Sequence, residues 1–314
     1  MAKKHIGLHG LRSGTTSELS MTRRGTILLL ALTVSPPVYA EPQTLRVVPQ
    51  TDIVLLDPVF GTASISNIAG MMIYEPLFSW DSHLQPKPQM VDHWSSSPDG
   101  LTWQFTLRPG LKFHDGQLVT TADVIPSMQR WMDFDGGGRM LAEDLVSMEP
   151  VDGMTFRIVL KQPFPAMLAT LAASPSRFAA IMRASDLADP RKPVTTAIGS
   201  GPFRYVPGER VSGSRIVWER NADYVPRDEP PDGTAGGRVV GVDRVEWDIL
   251  PDPATTMAAL QAGEVDFVEQ PALDLLPLIV SNRQIKIERL TPISNQTMLR
   301  ANNLQWPFTD VRAR

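Results

Sequence analysis

The sequence contains no cysteine. That absence removes disulfides, thiol nucleophiles, zinc–thiolate centres and a lipidated amino-terminal cysteine from consideration. Histidine is scarce, with five in 314 residues, and two of them, His5 and His9, lie at the extreme amino terminus. The remaining His83, His93 and His114 show none of the spacings of a metal pair such as HExxH. There is no GxSxG elbow, no SxxK and no P-loop. The apolar run near the start, residues 27–34, is much shorter than the about 20 residues a membrane-spanning helix needs. The materials of a hydrolytic, redox or metal centre are missing.

What is present begins with an export pattern. In "MTRRGTILLLALTVSPPVYAEPQ" (21–43), Arg23 and Arg24 form a basic start, residues 27–34 an apolar segment, and Val38-Tyr39-Ala40 a small-x-small cleavage site. This is the build of a secretory signal peptide cut after Ala40, and it predicts a periplasmic protein that is not a lipoprotein. Residues 1–20 are polar and patternless, which leaves either Met1 or Met21 as the start. Without residues 1–40, 25 basic residues face 33 acidic ones, a net charge of −8. An exported acidic chain is a poor binder of nucleic acid.

The rest has the composition of a soluble globular protein, 42% hydrophobic and 20% charged, long enough for one to three domains. Its 28 prolines, nearly double the usual share of about 5%, predict many loops. "TLRVVPQ" (44–50) reads as a first strand, residues 55–67 as a loop, 68–78 as a short buried helix ended by Pro76, and 81–100 as loop. "LTWQFTLR" (101–108) and "MTFRIVLK" (154–161) alternate apolar with polar, the mark of half-buried strands. Each follows an Asp-Gly turn. Between them "TTADVIPSMQRWM" reads as a helix with a capping box at Thr120 and Asp123, and "DFDGGGRM" (133–140) as the flexible loop that ends it. Residues 199–224 hold a glycine-rich turn and a strand, and 226–241 a mobile surface loop. In 244–269 a strand, a helix with Asp252 as N-cap, Pro253 at its first position and Gly263 past its end, and a second strand form a βαβ unit. That unit predicts α/β architecture.

The one dipeptide that resembles chemistry is His114-Asp115, in "GLKFHDGQLVTTADV" (110–124). Asp115-Gly116 directly before a capped helix is a turn signal, and adjacent side chains need not converge on one centre, so the pair reads as a turn. "GSGPF" (199–203) is a tight turn whose glycines suggest positive φ or close backbone approach.

Taken in order, these segments resemble the family 5 extracellular solute-binding proteins of ABC transporters, the dipeptide, oligopeptide and nickel group. The resemblance rests on "WQFTLRPGLKFHDGQLVTTADV" (103–124), "LDPVF" (56–60), "YEPLF" (74–78), "TFRIVLKQPFP" (155–165), "GSGPFRY" (199–205), "RNADY" (220–224), "AALQAGEVDF" (258–267) and "PFTDVRAR" (307–314). It implies a periplasmic-binding-protein-like (class II) two-lobed α/β fold that closes on its ligand like a clamp. It also implies no catalysis and no cofactor or metal, with a di- or oligopeptide or similar small solute as ligand. An inner-membrane ABC permease is the expected partner, and the protein is expected to be a monomer. Under the resemblance, residues 41–300 are lobe one, with a subdomain at about 75–195 inserted, and 301–314 open lobe two. The family's carboxylate for a peptide amino group has no counterpart in this sequence. Under the resemblance this sequence carries most of lobe one and almost none of lobe two, a carboxy-terminally truncated clamp expected to expose apolar surface at its broken edge; a non-functional truncated remnant of such a protein is the first alternative. An exported hydrolase is the second, disfavoured by the missing nucleophile motifs. The resemblance brings Phe60, Gly61 and Thr62, and the segment 130–139, to the cleft. Within that segment Arg130 is a candidate contact, Trp131 is a candidate to stack on a ligand and Arg139 to pair with a carboxylate.

Overall fold

Runs of short strands are separated by short helices, and the strands collect into separate sheets. The computed structural model describes residues 43–172, 177–289 and 301–313, and the expected leader and signal peptide (1–40) lie outside them. In chain order come β1 (Thr44–Val48), α1 (Ser64–Ile73), β2 (Phe78–Trp80), β3 (Pro86–Pro88), β4 (Val91–Ser96) and β5 (Thr102–Leu107). Then follow α2 (Thr121–Phe134), α3 (Gly136–Asp144), β6 (Leu145–Pro150), β7 (Thr155–Leu160) and α4 (Met167–Leu171). The last are β8 (Phe203–Tyr205), β9 (Arg215–Arg220), β10 (Arg244–Asp248), α5 (Pro253–Ala262) and β11 (Phe267–Val268). One sheet runs β11-β1-β10-β9-β8, another β4-β5-β7-β6, and β2 pairs with β3. The first sheet thus takes β1 from before, and its other strands from after, everything that builds the second. Among the described residues no helix is long and apolar enough to cross a membrane.

The βαβ reading of 244–269 holds, with one addition from the tertiary fold. Asp252 caps α5 by accepting the Thr255 N–H at 2.7 Å, Pro253 opens the helix, and Gly263 closes it at φ 73°. The strands β10 and β11 are not neighbours, however. β1 lies between them and runs parallel to both, with Val47 opposite Trp247 on one side and Phe267 on the other. The alternating strands also behave as their period requires. Phe105 and Leu107 of β5 and Phe156, Ile158 and Leu160 of β7 are buried, and the Phe105 and Phe156 rings stack with centroids 5.2 Å apart. Burying each such side chain contributes about 1.5–3 kcal/mol.

Four sequence expectations change. The helix expected over 68–78 runs from Ser64 to Ile73, and Phe78 starts a strand instead. The region 81–100 contains β3 and β4. β4 escapes the periodicity because "VDHWSS" is an edge strand, buried only at Val91, so it carries no alternation to read. The glycine run 136–138 is the first turn of α3 rather than a flexible loop. Asp135 caps it through the Gly138 N–H at 3.0 Å, and a Cβ on Gly138 would stand 2.8 Å from the Met132 Cα, so glycine lets two helices meet at a tight corner. The segment 226–241 is pinned rather than free. Arg227 donates to the Val91 carbonyl at 2.8 Å, the Thr234 N–H to Trp80 at 2.8 Å, and Ala235 is buried. Helix α2 has its capping box, with the Asp123 carboxylate accepting the Thr120 N–H at 3.1 Å. Pro126 sits at the sixth residue of α2, beyond the first turn, so the helix forgoes one backbone bond there.

The His114-Asp115 pair is a staple, and its two side chains diverge. The imidazole Nε2–H donates to the Gly201 carbonyl at 3.1 Å, while Nδ1 accepts the Gly199 N–H at 3.3 Å, a pattern that requires the neutral ring. Asp115 instead pairs with Arg183 at 2.6 Å. The "GSGPF" turn owes its glycines to close approach: a Cβ on Gly199 would stand 2.0 Å from the Ile73 carbonyl oxygen, and one on Gly201 2.6 Å from that of Met72. Burial lowers the His114 pKa to about 4, with the Arg204 charge adding to the shift. The unfolded ring, with its pKa of about 6.5, therefore takes a proton before the folded one does. The stability linked to His114 is complete above that unfolded value and is lost as pH falls through the folded one. In denaturation midpoints measured from pH 7 to 4, His114→Gln should lower stability at pH 7 and flatten the decline over this window; parallel curves for the two proteins would rule this out.

Candidate functional site

The loop after β1 is organised by one carboxylate. Asp57 is fully buried and accepts the N–H groups of Val59 at 3.0 Å and Phe60 at 3.1 Å, as expected of an Asp-Pro turn. Its other oxygen takes the Val194 N–H at 2.8 Å. Arg130, on α2, then grips both oxygens, Nη1 to Oδ1 at 3.1 Å and Nη2 to Oδ2 at 2.5 Å. The remaining guanidinium donors go to the carbonyls of Pro190 at 2.9 Å and Lys192 at 3.0 Å and to the Met182 sulfur. Every N–H of the guanidinium is spent. A buried pair of this kind is tolerated only when each lone pair and each proton finds a partner.

These contacts join three separate segments, and an open recess of 480 Å³ lies where they meet, lined by Phe60, Asp133, Phe134 and Arg191. Phe60 and Phe134 face each other with centroids 5.5 Å apart, and the Arg130 guanidinium carbon lies 5.6 Å from the Phe134 ring. Rings at this separation and tilt attract beyond their buried area.

The sequence candidates divide around this recess. Phe60 is half-buried in its wall, Gly61 is half-buried next to it with its N–H on the Asp57 carbonyl at 3.0 Å, and Thr62 is exposed. Arg139 is exposed and donates Nε and Nη2 to the Asp133 carbonyl at 3.0 and 2.8 Å, closing the end of α2. Arg130 and Trp131 do not meet solvent, at 1% and 2% exposed. The expectation of direct ligand contact is corrected for these two: the guanidinium is consumed by Asp57, and the indole is enclosed and donates to the Arg177 carbonyl at 3.3 Å. They stand behind the recess. Phe134, Asp133 and Arg191 were not singled out from the sequence. Nothing in "DPRKP" (189–193) marks Arg191 as more than a turn residue; only its meeting with Phe60 across more than a hundred positions does.

Other concave and polar features lie away from this recess. Among the described residues one histidine–carboxylate group, Asp81, His83 and Asp232, brings ligand-type atoms within 4.8 Å of one another. Asp81 Oδ1 accepts the His83 and Gln85 N–H groups at 2.9 and 2.8 Å and Oδ2 faces Lys87 at 3.6 Å, contacts that shape the β2–β3 turn. A groove of 600 Å³ follows α5 and β11, and downstream of it Leu273, Leu304, Trp306 and Val311 are exposed.

Breaking the buried pair from one side leaves a charge without its partner, at a cost of about 3–5 kcal/mol. Arg130→Met should therefore lower the urea midpoint strongly, and adding Asp57→Asn should restore part of the loss. Additive losses in the double variant would show that the two side chains do not act as a pair.

Residues 85–314 match the family of bacterial extracellular solute-binding proteins, family 5 Middle. Among curated relatives, the probable peptide ABC transporter periplasmic-binding protein y4tO of Sinorhizobium fredii is 46% identical over 263 residues, 83% of this chain and 49% of that protein. The glutathione-binding protein GsiB of Pectobacterium atrosepticum is 27% identical over 95% of this chain and 56% of its own length. The chain spans about half the length of the curated relatives it matches. Among solved structures, the binding protein MoaA in complex with mannopinic acid, from A. tumefacien R10, superposes with a TM-score of 0.67 at 22% identity, over 86% of this chain and 54% of that one. A dipeptide binding protein from pseudoalteromonas sp. SM9913 in complex with Met-Leu superposes at 0.64 and 21% identity, over 77% of this chain and 50% of that one. The fold is that of the class II periplasmic binding proteins, mixed α/β. The family match covers most of the chain, and the protein belongs to the family 5 bacterial extracellular solute-binding proteins.

Proposed function

We propose that this protein is the extracytoplasmic solute-binding component of an ABC importer, which captures a peptide or a similar small solute and delivers it to an inner-membrane permease without chemical change. The observation that carries this reading is the recess. It is open to solvent and walled by two aromatic rings, and its backbone is held by a fully satisfied buried pair, so it is pre-formed on one side and open on the other. A surface of that kind is half of a clamp: a second lobe closing over it by hinge motion would complete the enclosure a small ligand needs. In this reading residues 41–300 form lobe one, with about 75–195 as an inserted subdomain, and 301–314 open lobe two. Phe60, Gly61 and Thr62 line the cleft, Arg139 stands at its rim, and Arg130 and Trp131 hold it from behind. The working form is a monomer, and residues 21–40 direct export to the periplasm.

Two measurements test the reading. Peptide, glutathione and metal-chelate pools should raise the thermal midpoint of the natural polypeptide, by about 2.7 kcal/mol of stabilisation at a concentration 100 times Kd, and mass spectrometry should recover the ligand intact. No shift with any pool, or turnover of one, would refute it. Amino-terminal sequencing of the exported protein should begin at Glu41; retention of residues 21–40 in the periplasmic fraction would contradict the export assignment.

A further inference from the structure

The turn between β2 and β3 brings an imidazole and two carboxylates to one point. Asp81, His83 and Asp232 each offer a ligand-type atom, and these atoms lie within 4.8 Å of one another. Two belong to the turn itself. Asp232 comes from the segment 226–241, 150 positions beyond Ser82, whose N–H it accepts at 3.0 Å. The two backbones are in contact here. The Thr234 N–H donates to the Trp80 carbonyl at 2.8 Å, and the Trp80 N–H donates to the Thr234 hydroxyl at 3.2 Å. Gly233, at φ 60°, approaches so closely that a Cβ on it would stand 2.7 Å from the Asp81 carbonyl carbon. Asp81 is buried and fixed, with Oδ1 on the His83 and Gln85 N–H groups at 2.9 and 2.8 Å. Its Oδ2 faces the half-exposed Lys87 ammonium at 3.6 Å, beyond hydrogen-bond reach. The Gln85 N–H holds the Asp81 carboxyl below the usual range although the Asp232 charge opposes it, and hydrogen bonds from Ser82 do the same for Asp232. Two charged carboxylates therefore meet beside one imidazole.

We infer that Asp81, His83 and Asp232 bind one borderline divalent transition-metal ion, with Zn²⁺ as the type, and that the ion ties the β2–β3 turn to the segment 226–241. One imidazole with two carboxylates suits such an ion better than Ca²⁺ or Mg²⁺, which take oxygen ligands. Three protein ligands leave the fourth tetrahedral position to water. Around a tetrahedral ion with bonds of about 2.1 Å the ligand atoms stand about 3.4 Å apart, so a pair at 4.8 Å must close by about 1.4 Å. His83 and Asp232 are exposed and make that movement by rotating a side chain, while Asp81 stays on its turn. The incoming dication offsets the repulsion between the carboxylates and displaces Lys87, whose flexible stem returns its ammonium to water. The spacing of the histidines in the sequence does not announce the group, because the tertiary fold supplies Asp232. The inference stands apart from the importer reading, and its failure leaves that reading intact.

The test is calorimetric titration of the natural polypeptide, without a histidine tag and after dialysis against a chelator, with Zn²⁺, Mg²⁺ and Ca²⁺. Zn²⁺ should bind at one equivalent and raise the thermal midpoint, and Mg²⁺ and Ca²⁺ should bind at least about tenfold more weakly. His83→Gln and Asp232→Asn change exposed side chains, so each should leave the metal-free midpoint unchanged and weaken Zn²⁺ by more than about tenfold. Lys87→Gln should tighten Zn²⁺ several-fold, because the competing ammonium is gone. Lys112→Gln, which removes the same charge elsewhere on the chain, should not. Zn²⁺ binding that survives both His83→Gln and Asp232→Asn, or that responds equally to the two lysine variants, would place the ion elsewhere on the surface and overturn the assignment. No Zn²⁺ binding, or tighter binding of Ca²⁺ or Mg²⁺, would overturn it as well.

Discussion

The buried contact between Asp57 and Arg130 is the constraint on which the rest of the site depends. Two charges removed from water are costly, and the cost is offset only because five N–H groups converge on one carboxylate and the guanidinium finds an acceptor for every proton. Those partners belong to the loop after β1, to α2 and to the segment 190–194. The requirement to satisfy one ion pair therefore dictates where three distant pieces of backbone lie. Phe60, Phe134 and Arg191 face a common recess as a consequence, and none of the three side chains had to arrange the meeting itself.

The same logic separates structure from chemistry elsewhere. His114 is the most strongly perturbed histidine of the described chain, and a low pKa in a fold often marks an active site. Here it reports burial against two glycine backbones that approach α1 too closely for any side chain. Glu75 is similar: it is fully buried and receives Arg108 at 3.3 Å, Gln89 at 3.1 Å and the Tyr224 hydroxyl at 2.7 Å, and so ties the segment before β2 to the one after β9. The Tyr224 hydroxyl loses its proton less readily than usual because of burial and that carboxylate. These groups are closed networks.

Much of the fold was legible because it rests on local rules. The period-two strands β5 and β7 state their buried faces residue by residue, and Asp252, Pro253 and Gly263 mark the start and end of α5 by the hydrogen-bonding needs of helix ends. Elements whose residues carry no period were missed. β4 is a polar edge strand, and α3 opens on three glycines, residues that favour loops unless a close neighbour requires their small size. The segment 226–241 reads as mobile from composition alone, because the carbonyls that hold Arg227 belong to a hairpin and strand far away in sequence.

The sequence by itself determined the α/β class, the βαβ unit, the structural role of His114-Asp115 and the family, since these follow from patterns contained in continuous stretches. It also pointed to the loop at 60–62 and the segment 130–139. Only the tertiary structure decided which side chains of those segments face outward. Arg130 and Trp131 look like ligand contacts in a linear reading, and Arg191 looks like a turn residue. Whether a guanidinium is free or consumed depends on the acid opposite it, and Asp57 lies 73 positions from Arg130. Such pairing is a property of the packed chain, where desolvation makes each donor find its acceptor, and no local pattern encodes it.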